Sequence, residues 1–197
     1  MRFAEVPRAA LPTRFGEFTI YGFRDEDTGE EAVALVAGEI RPDSAILVRI
    51  HSQCLTGDVF ASRRCDCQDQ LYAALELIAG SGVGVLVYQQ QEGRGIGLIN
   101  KIRAYELQDQ GLDTVAANEE LGFQPDERQY EFSAEILKYL GASRVRLLSN
   151  NPDKVKGLES AGIVVEERLP LEIPPDASTR YYLEAKKRRL GHILTGV

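Results

Sequence analysis

The sequence predicts an α/β protein with a mixed sheet, in which antiparallel N-terminal strands precede an alternation of strands and helices. Three early segments, 17–23, 31–40 and 45–51, are rich in valine, isoleucine and aromatic residues and are joined by short polar turns. From residue 68 onward, helical spacing of apolar residues alternates with short apolar runs. Such alternation is typical of α/β architecture with some parallel strand pairing.

The first helix of this alternating region is predicted over 68–79. The apolar residues at helical spacing are Leu71, Ala74, Leu75 and Ile78. The run VGVLVY at 83–88 predicts a buried strand, and a glycine-rich loop follows it. One apolar face of the next helix is predicted to consist of Leu98, Ile102 and Tyr105.

The remaining elements are a helix over 133–140, a strand over 144–149, a helix within 150–162 and a strand over 163–169. The third of these has clear start and stop signals. Asn151 can cap the helix, Pro152 suits its first turn and Gly162 ends it. Because no repeat or Gly/Ser linker interrupts the chain, we expect a single domain over 1–197.

The composition narrows the classes of partner. The formal net charge is -7 and the chain has no run of eighteen apolar residues, so we expect neither a nucleic acid nor a membrane as partner. The N-terminal segment also lacks the apolar run of a signal peptide, and we expect a cytoplasmic protein with reduced thiols.

All three cysteines fall within the segment CLTGDVFASRRCDC, at Cys54, Cys65 and Cys67. Thiolates this close together suit zinc, and the fourth ligand could be His51, His192 or water. Three protein ligands plus water is the pattern of catalytic zinc, whereas a histidine would complete a structural site. The cysteines alone also allow a third interpretation, in which they are small buried apolar residues without a metal.

Two further motifs suit phosphate chemistry. In QEGRGIGL (91–98), the glycines allow close backbone approach and Arg94 offers a fork of donors to phosphate, although a tight strand–helix turn is the alternative. In PDERQY (125–130), Asp126 and Arg128 can supply a base and a cation, although a surface turn is the alternative. The basic cluster KKRRL (186–190) is interpreted as the solvated face of the last helix.

Four segments together resemble the GTP cyclohydrolase II family and follow that family's order. They are RIHSQCLTGDVFASRRCDCQDQL (49–71), QEGRGIGLINKIRAYELQDQGLDTVAANEELGF (91–123), DER (126–128) and LLSNNPDKVKGLESAGI (147–163). The resemblance implies a zinc-dependent enzyme that binds GTP and opens its imidazole ring at C8 in the first step of riboflavin biosynthesis. It further implies release of formate and pyrophosphate to give 2,5-diamino-6-(5-phosphoribosylamino)pyrimidin-4-one, Mg2+ on the triphosphate, and a homodimer.

The resemblance also assigns roles by position. Cys54, Cys65 and Cys67 hold one zinc per chain with water as the fourth ligand. Arg128 is the nucleophile at the α-phosphorus, Asp126 is the proton acceptor, and Tyr105 completes the ring opening. The positions assigned to substrate binding are Arg49, Ile50, His51, Ser52, Gln53, Gln70, Glu92, Gly93, Arg94, Thr114, Ser149 and Lys154.

Two departures from the family pattern leave alternatives open. Gln53 stands where the family usually has glutamate, and Gln90 stands where it often has arginine. Gln53 can form hydrogen bonds but cannot act as a base or hold a metal ion. The alternatives are a divergent cyclohydrolase, which stops at a formamidopyrimidine or serves another pathway, and a non-catalytic, zinc-stabilised nucleotide-binding module.

Overall fold

Seven strands form one mixed sheet in the computed structural model, which describes residues 3, 5–41, 44–175 and 179–197. The strands are β1 (Arg8–Thr13), β2 (Gly16–Arg24), β3 (Glu31–Ala37), β4 (Ile46–Ser52), β5 (Gly84–Gln89), β6 (Arg144–Leu148) and β7 (Val164–Leu169). Their order across the sheet is β1-β2-β3-β5-β4-β6-β7.

The pairing confirms the predicted fold class. Strands β1, β2, β3 and β5 pair antiparallel in that order, whereas β4, β6 and β7 pair in parallel. Because β5 lies between β3 and β4, the third predicted strand does not extend the antiparallel run of the N-terminal segment. It lies between β5 and β6 and pairs in parallel with β6, as expected where strands and helices alternate.

The helices are α1 (Leu55–Asp58), α2 (Cys67–Gly80), α3 (Leu98–Asp109), α4 (Thr114–Glu120), α5 (Glu131–Tyr139), α6 (Pro152–Ser160) and α7 (Arg180–Leu190), and Glu92–Gly95 forms a 3-10 turn. The sequence did not predict α1, α4 or strand β1. The start of α4 does have a local signal, since Asp113 accepts hydrogen bonds from two backbone amides of its first turn. Within the described residues, no helix combines the length and hydropathy needed to cross a bilayer.

The chain divides into two compact units. The first consists of Met1–His51, Leu71–Gln90 and Gln129–Leu171, and the second of Ser52–Gln70, Gln91–Arg128 and Glu172–Val197. The first unit contains the sheet apart from Ser52 at the end of β4, and the second contains all three cysteines. The single domain expected over 1–197 stays a prediction.

An apolar core lies on each face of the sheet, because successive side chains of a strand point to opposite sides. On β5, Val85 and Val87 belong to one core and Leu86 to the other. Helices α5 and α6 pack on the first core through Ile136, Leu137 and Leu158. Helix α2 packs on the second core through Ala74, Leu75 and Ile78.

Helix α6 begins where the sequence predicts. The Asn151 side chain accepts a hydrogen bond from the Asp153 backbone N–H at 2.9 Å, and Pro152 opens the first turn. This start follows directly on the carboxyl end of β6. In α/β sheets, ligands bind outside the carboxyl ends of the strands, so the cap fixes backbone at such a position.

Both edges of the sheet are interrupted. Strand β1 carries Pro12, which donates no hydrogen bond and is tolerated in sheets mainly at an edge. Strand β7 changes register against β6. Val165 and Glu167 pair with consecutive residues of β6, and Glu166 between them has no register partner in that strand. This irregularity is a β-bulge at the opposite edge.

We expect opposite effects from alanine at two helical glycines. A Cβ atom at Gly157 in α6 would lie 2.8 Å from Cδ2 of Tyr130, whereas one at Gly80 in α2 would meet no atom within 4 Å. Gly157→Ala should therefore lower the free energy of unfolding by about 1–3 kcal/mol. Gly80→Ala should raise it by about 0.5–1 kcal/mol. Urea denaturation measures both, and an increase for Gly157→Ala would contradict the close packing of α6 on Tyr130.

Candidate metal centre

The three cysteines lie at the starts of two helices and in the loop between them. Cys54 precedes α1, Cys67 is the first residue of α2, and Cys65 lies in the loop. The Asp58 carboxylate accepts a hydrogen bond from the Cys54 N–H at 3.0 Å, and the Asp58 carbonyl accepts one from Gln68 Nε2 at 3.1 Å. These bonds tie the two helix starts together without a metal.

The three thiol sulfur atoms converge on one point. All lie within 4.8 Å of one another, and the Sγ atoms of Cys54 and Cys65 are 3.7 Å apart. Zinc bound tetrahedrally to thiolates at about 2.3 Å separates their sulfur atoms by about 3.8 Å. The cluster therefore fits a zinc ion, and no histidine or carboxylate joins the group within the residues that the structure describes.

Gly57 leaves the space in which the thiols meet. A Cβ atom at this position would lie 2.8 Å from the Cys65 sulfur, 3.1 Å from the Cys54 sulfur and 2.9 Å from Cβ of Cys67. Such distances are shorter than van der Waals contact, so no residue other than glycine fits here without displacing the thiols.

A buried ion pair flanks the cluster. Lys101 Nζ lies 3.0 Å from Cys54 Sγ and 2.7 Å from Glu92 Oε1, and both charged side chains are buried. The other oxygen of Glu92 accepts a hydrogen bond from the Leu55 N–H at 2.6 Å. Lys101 of α3 and Glu92 of the 3-10 turn are thereby fixed against the start of α1.

The electrostatics of the cluster favour a single thiolate when no metal is bound. Hydrogen bonds with Cys65 and Cys67 lower the pKa of Cys54, and the Lys101 ammonium lowers it further against the opposing effect of burial. The hydrogen bond with Cys54 raises the pKa of Cys65 to about 11, and hydrogen bonds with Cys54 and Cys65 raise the pKa of Cys67. Coordination by all three sulfur atoms therefore requires proton release from Cys65 and Cys67.

Tyr105 lies beside this cluster. Its hydroxyl is 3.1 Å from Oγ1 of Thr56, which in turn is 3.7 Å from the Cys54 sulfur. Burial raises the pKa of Tyr105, so its hydroxyl keeps its proton at neutral pH. The protonated hydroxyl is thus held near the thiols.

Asp126 and Arg128 form a fork within the second unit. Arg128 Nε donates to Asp126 Oδ1 at 2.8 Å, Nη2 donates to Oδ2, and the Arg128 N–H donates to Oδ1 at 3.1 Å. Burial raises the pKa of Asp126, but the hydrogen bonds from Arg128 outweigh it and the pKa is lowered. The carboxylate is therefore ionised and aimed at the guanidinium.

The glycine-rich loop joins this pair to the metal centre. The Arg94 carbonyl accepts a hydrogen bond from the Glu127 N–H at 3.0 Å, and a Cβ atom at Gly95 would lie 3.2 Å from the Glu127 carbonyl carbon. Arg94 itself has a φ of 65°, which a residue other than glycine seldom adopts. Its Nη1 atom is buried and has no hydrogen-bond partner among the described residues, which suits an anionic ligand.

Residues predicted to bind the nucleotide also lie in the first unit, around the carboxyl ends of β4 and β6. Lys154 Nζ donates to the Ile50 carbonyl at 2.7 Å, and Arg49 Nη1 donates to the Leu148 carbonyl at 2.9 Å. His51 is buried, and its ring stacks on Tyr88 with centroids 5.4 Å apart. The other predicted residue of this unit is Ser149, which is buried and hydrogen-bonded to Asn151.

The other assigned residues fall in the second unit. Ser52 has a buried hydroxyl without a hydrogen-bond partner among the described residues, and Gln53 is half-buried. Gln70 donates to Asp66, and Thr114 opens α4. The departure at Gln90 lies in the first unit and is solvent-exposed.

The sequence pattern did not predict several residues of the centre. It predicted an apolar face on α3 that includes Ile102, but Ile102 is 46% exposed and Lys101 beside it is buried. The interpretation of the basic cluster as a solvated face is wrong for Lys186, which pairs with the buried Asp66. The available signal for Lys101 was its position four residues before Tyr105, which places both side chains on the same helix face. No sequence pattern around position 57 indicated that Gly57 leaves space for the thiols.

The fold and the site together define an α/β protein with a mixed sheet, a three-thiol cluster that could hold a metal ion, and a glycine-rich loop. The model of the GTP cyclohydrolase II family matches residues 4–170, and the chain belongs to that family. The matched region includes the thiols, the glycine-rich loop and the Asp126–Arg128 pair, and it ends before α7.

Curated relatives fall into two groups by length. GTP cyclohydrolase-2 of Tolumonas auensis is 55% identical over 96% of this chain and 96% of its own length. GTP cyclohydrolase-2 of Picrophilus torridus is 51% identical over 94% of this chain and 96% of its own length. Riboflavin biosynthesis protein RibBA of Bacillus velezensis is 55% identical over 93% of this chain but only 46% of its own length. The chain therefore spans about half of the length of the RibBA relative.

Gly57→Ala is expected to abolish metal binding, because the added methyl group would push the three thiols apart. We expect the metal content after zinc loading to fall by about tenfold or more, measured by mass spectrometry of the metal. Gly80→Ala adds the same methyl group to a helix where it meets no neighbour and should bind metal normally. Undiminished zinc in folded Gly57→Ala would contradict the proposed meeting point of the thiols.

Lys101→Met should destabilise the metal-free protein by about 3–5 kcal/mol, because it leaves Glu92 buried without its partner. The double variant Lys101→Met/Glu92→Gln should recover part of that loss. Lys138→Met removes a lysine whose partner Glu135 is more than a third exposed, and it should cost less than about 1 kcal/mol. Chemical denaturation provides the comparison, and equal losses at both lysines would show that the Lys101–Glu92 pair is not structurally important.

Proposed function

We propose that this chain catalyses the GTP cyclohydrolase II reaction, the first step of riboflavin biosynthesis. In this reaction water opens the imidazole ring of GTP at C8, and formate and pyrophosphate leave. The product is 2,5-diamino-6-(5-phosphoribosylamino)pyrimidin-4-one. The observation that carries the proposal is the convergence of Cys54, Cys65 and Cys67 within 4.8 Å in a member of this family.

The metal proposed is zinc, one per chain, held by the three cysteine sulfur atoms. Three protein ligands leave a fourth position for water, as in catalytic zinc sites. When zinc is bound by the three sulfur atoms, it supplies a Lewis acid that activates water for attack at C8. The fit of the sulfur separation to tetrahedral zinc supports this assignment.

The side chains around the thiols have complementary tasks. The Lys101 ammonium stabilises negative charge on the Cys54 sulfur, to which it is hydrogen-bonded. The protonated Tyr105 hydroxyl, held by Thr56, is assigned to supply a proton as the ring carbon is released. Glu92 holds Lys101 in place and is also assigned a contact with the guanine edge.

A second set of residues is assigned to phosphorus chemistry. Asp126 takes a proton from the Arg128 guanidinium, and the freed nitrogen attacks the α-phosphorus. The N–P bond forms as the bond to the pyrophosphate oxygen breaks, and water later cleaves the N–P bond. The geometry supports Asp126 as the acceptor, because both of its oxygens already contact the guanidinium N–H of Arg128. Arg94, with its buried Nη1 atom, is suited to the negative charge that develops on phosphate.

The proposal includes the substrate contacts implied by the family resemblance. They are assigned to Arg49, Ile50, His51, Ser52, Gln53, Gln70, Glu92, Gly93, Arg94, Thr114, Ser149 and Lys154. Mg2+ on the triphosphate and a homodimer are part of the same proposal. Light scattering at micromolar concentration would measure the oligomeric state.

The two chemistries can be separated by measuring formate and pyrophosphate side by side. Arg128→Ala should lower pyrophosphate release by about 10²–10³-fold, because it removes both the nucleophile and a cation at the phosphorus. If phosphorus attack comes first, formate release should fall equally. Cys54→Ser should abolish formate release while leaving slower pyrophosphate release, with GMP as the product. Arg103→Ala, at an exposed arginine of α3, is the matched control and should behave as wild type.

The outcomes also distinguish the alternative functions. Wild-type release of both products by Arg128→Ala would overturn its assignment as nucleophile. Ring opening that stops at a formamidopyrimidine would identify a divergent cyclohydrolase, for which Gln53 is the first residue to revert to glutamate. Zinc-dependent GTP binding without release of formate would identify a non-catalytic binding module.

A further inference from the structure

The residue between the two cysteines of the C-x-C motif is a buried aspartate. The Asp66 side chain is only 3% exposed, although its neighbours Cys65 and Cys67 are half-buried. One of its oxygens is 3.1 Å from Nζ of Lys186, and the other accepts a hydrogen bond from Gln70. Both carboxylate oxygens are therefore engaged, and Asp66 holds one fixed position.

Lys186 is itself held by the helix that carries it. Its side chain is 11% exposed, and Nζ lies 4.3 Å from the centroid of the Tyr182 ring one turn earlier. Leu183 and Ala185 of α7 are buried. At the far end of the helix, Arg189 Nη1 lies 3.7 Å from Oδ2 of Asp113, the cap of α4. The cation that meets Asp66 thus comes from a well-anchored helix of the second unit.

Burying a carboxylate without a cation is costly, and removing one member of a buried pair is strongly destabilising. Without Lys186, Asp66 would move toward solvent and take the backbone of the C-x-C segment with it. Since Cys65 and Cys67 adjoin Asp66 directly, the separation of their sulfur atoms depends on where Asp66 lies. Helix α7 falls outside residues 4–170, which the family model matches.

We propose that Lys186 of the C-terminal helix is a positioning residue of the metal centre, which fixes Asp66 and through it the geometry of Cys65 and Cys67. This inference rests on the metal site of the proposed function. It assigns a role in metal retention to a helix that carries none of the assigned catalytic or substrate-binding residues.

The test measures metal binding rather than turnover. Zinc affinity is determined by competition with a chromophoric chelator, and cobalt(II) reports thiolate coordination through its charge-transfer absorption. Lys186→Met should weaken zinc binding by roughly tenfold to a hundredfold and reduce the cobalt band, whereas Lys186→Arg should retain most of both. Arg188→Met removes an exposed cation from the same helix and should match wild type.

A double-variant cycle keeps the proposal testable if Lys186→Met folds poorly. In the Asp66→Asn background the buried charge is gone, so Lys186→Met should cause little further loss of zinc affinity. Equal losses in both backgrounds, or wild-type affinity in folded Lys186→Met, would overturn the proposal, as would failure of the wild-type protein to bind zinc. If wild type binds zinc but releases no formate from GTP, the proposed function fails while Lys186 keeps its measured effect on the metal.

Discussion

The candidate metal centre depends on the buried ion pair between Lys101 and Glu92. This pair connects three separate pieces of chain, because Lys101 is on α3, Glu92 is in the 3-10 turn and its second oxygen holds the start of α1. Neither charge could be buried alone at an acceptable cost in free energy. The same lysine contacts Cys54, so the pair fixes one thiol and also sets the electrostatic environment of the cluster.

The glycine-rich loop has two functions that a single strand–helix turn would not require. At Glu92 it supports the metal centre, and two residues later the Arg94 carbonyl holds the backbone of Glu127. The loop therefore positions the thiols and the Asp126–Arg128 pair relative to each other within one compact unit. Arg94 has a positive φ, and strained residues of this kind persist only where their surroundings hold them. The contacts of the loop with both sites hold Arg94 in this conformation.

The sequence predicted the fold class and most elements because their signals are local. Alternating apolar runs indicated the strands, and the Asn151 cap with Pro152 located α6. The clustering of the cysteines was also visible, since all three lie in one short segment. The ion pairs were not visible, because Lys186 and Asp66 are 120 positions apart and a buried lysine has no periodic signature. The placement of β5 between β3 and β4 was likewise hidden, since strand order depends on how the connecting chain crosses the sheet.

The interrupted edges of the sheet bear on how the protein behaves at high concentration. An exposed edge with a complete row of N–H and C=O groups is a template on which a second chain can add a strand and begin to aggregate. Here Pro12 removes a donor from one edge, and the bulge at Glu166 breaks the spacing of the other. Arg146 and Glu167 also place paired charges along that side, so an incoming strand would have to desolvate them. The sheet is thereby protected against growth at both ends.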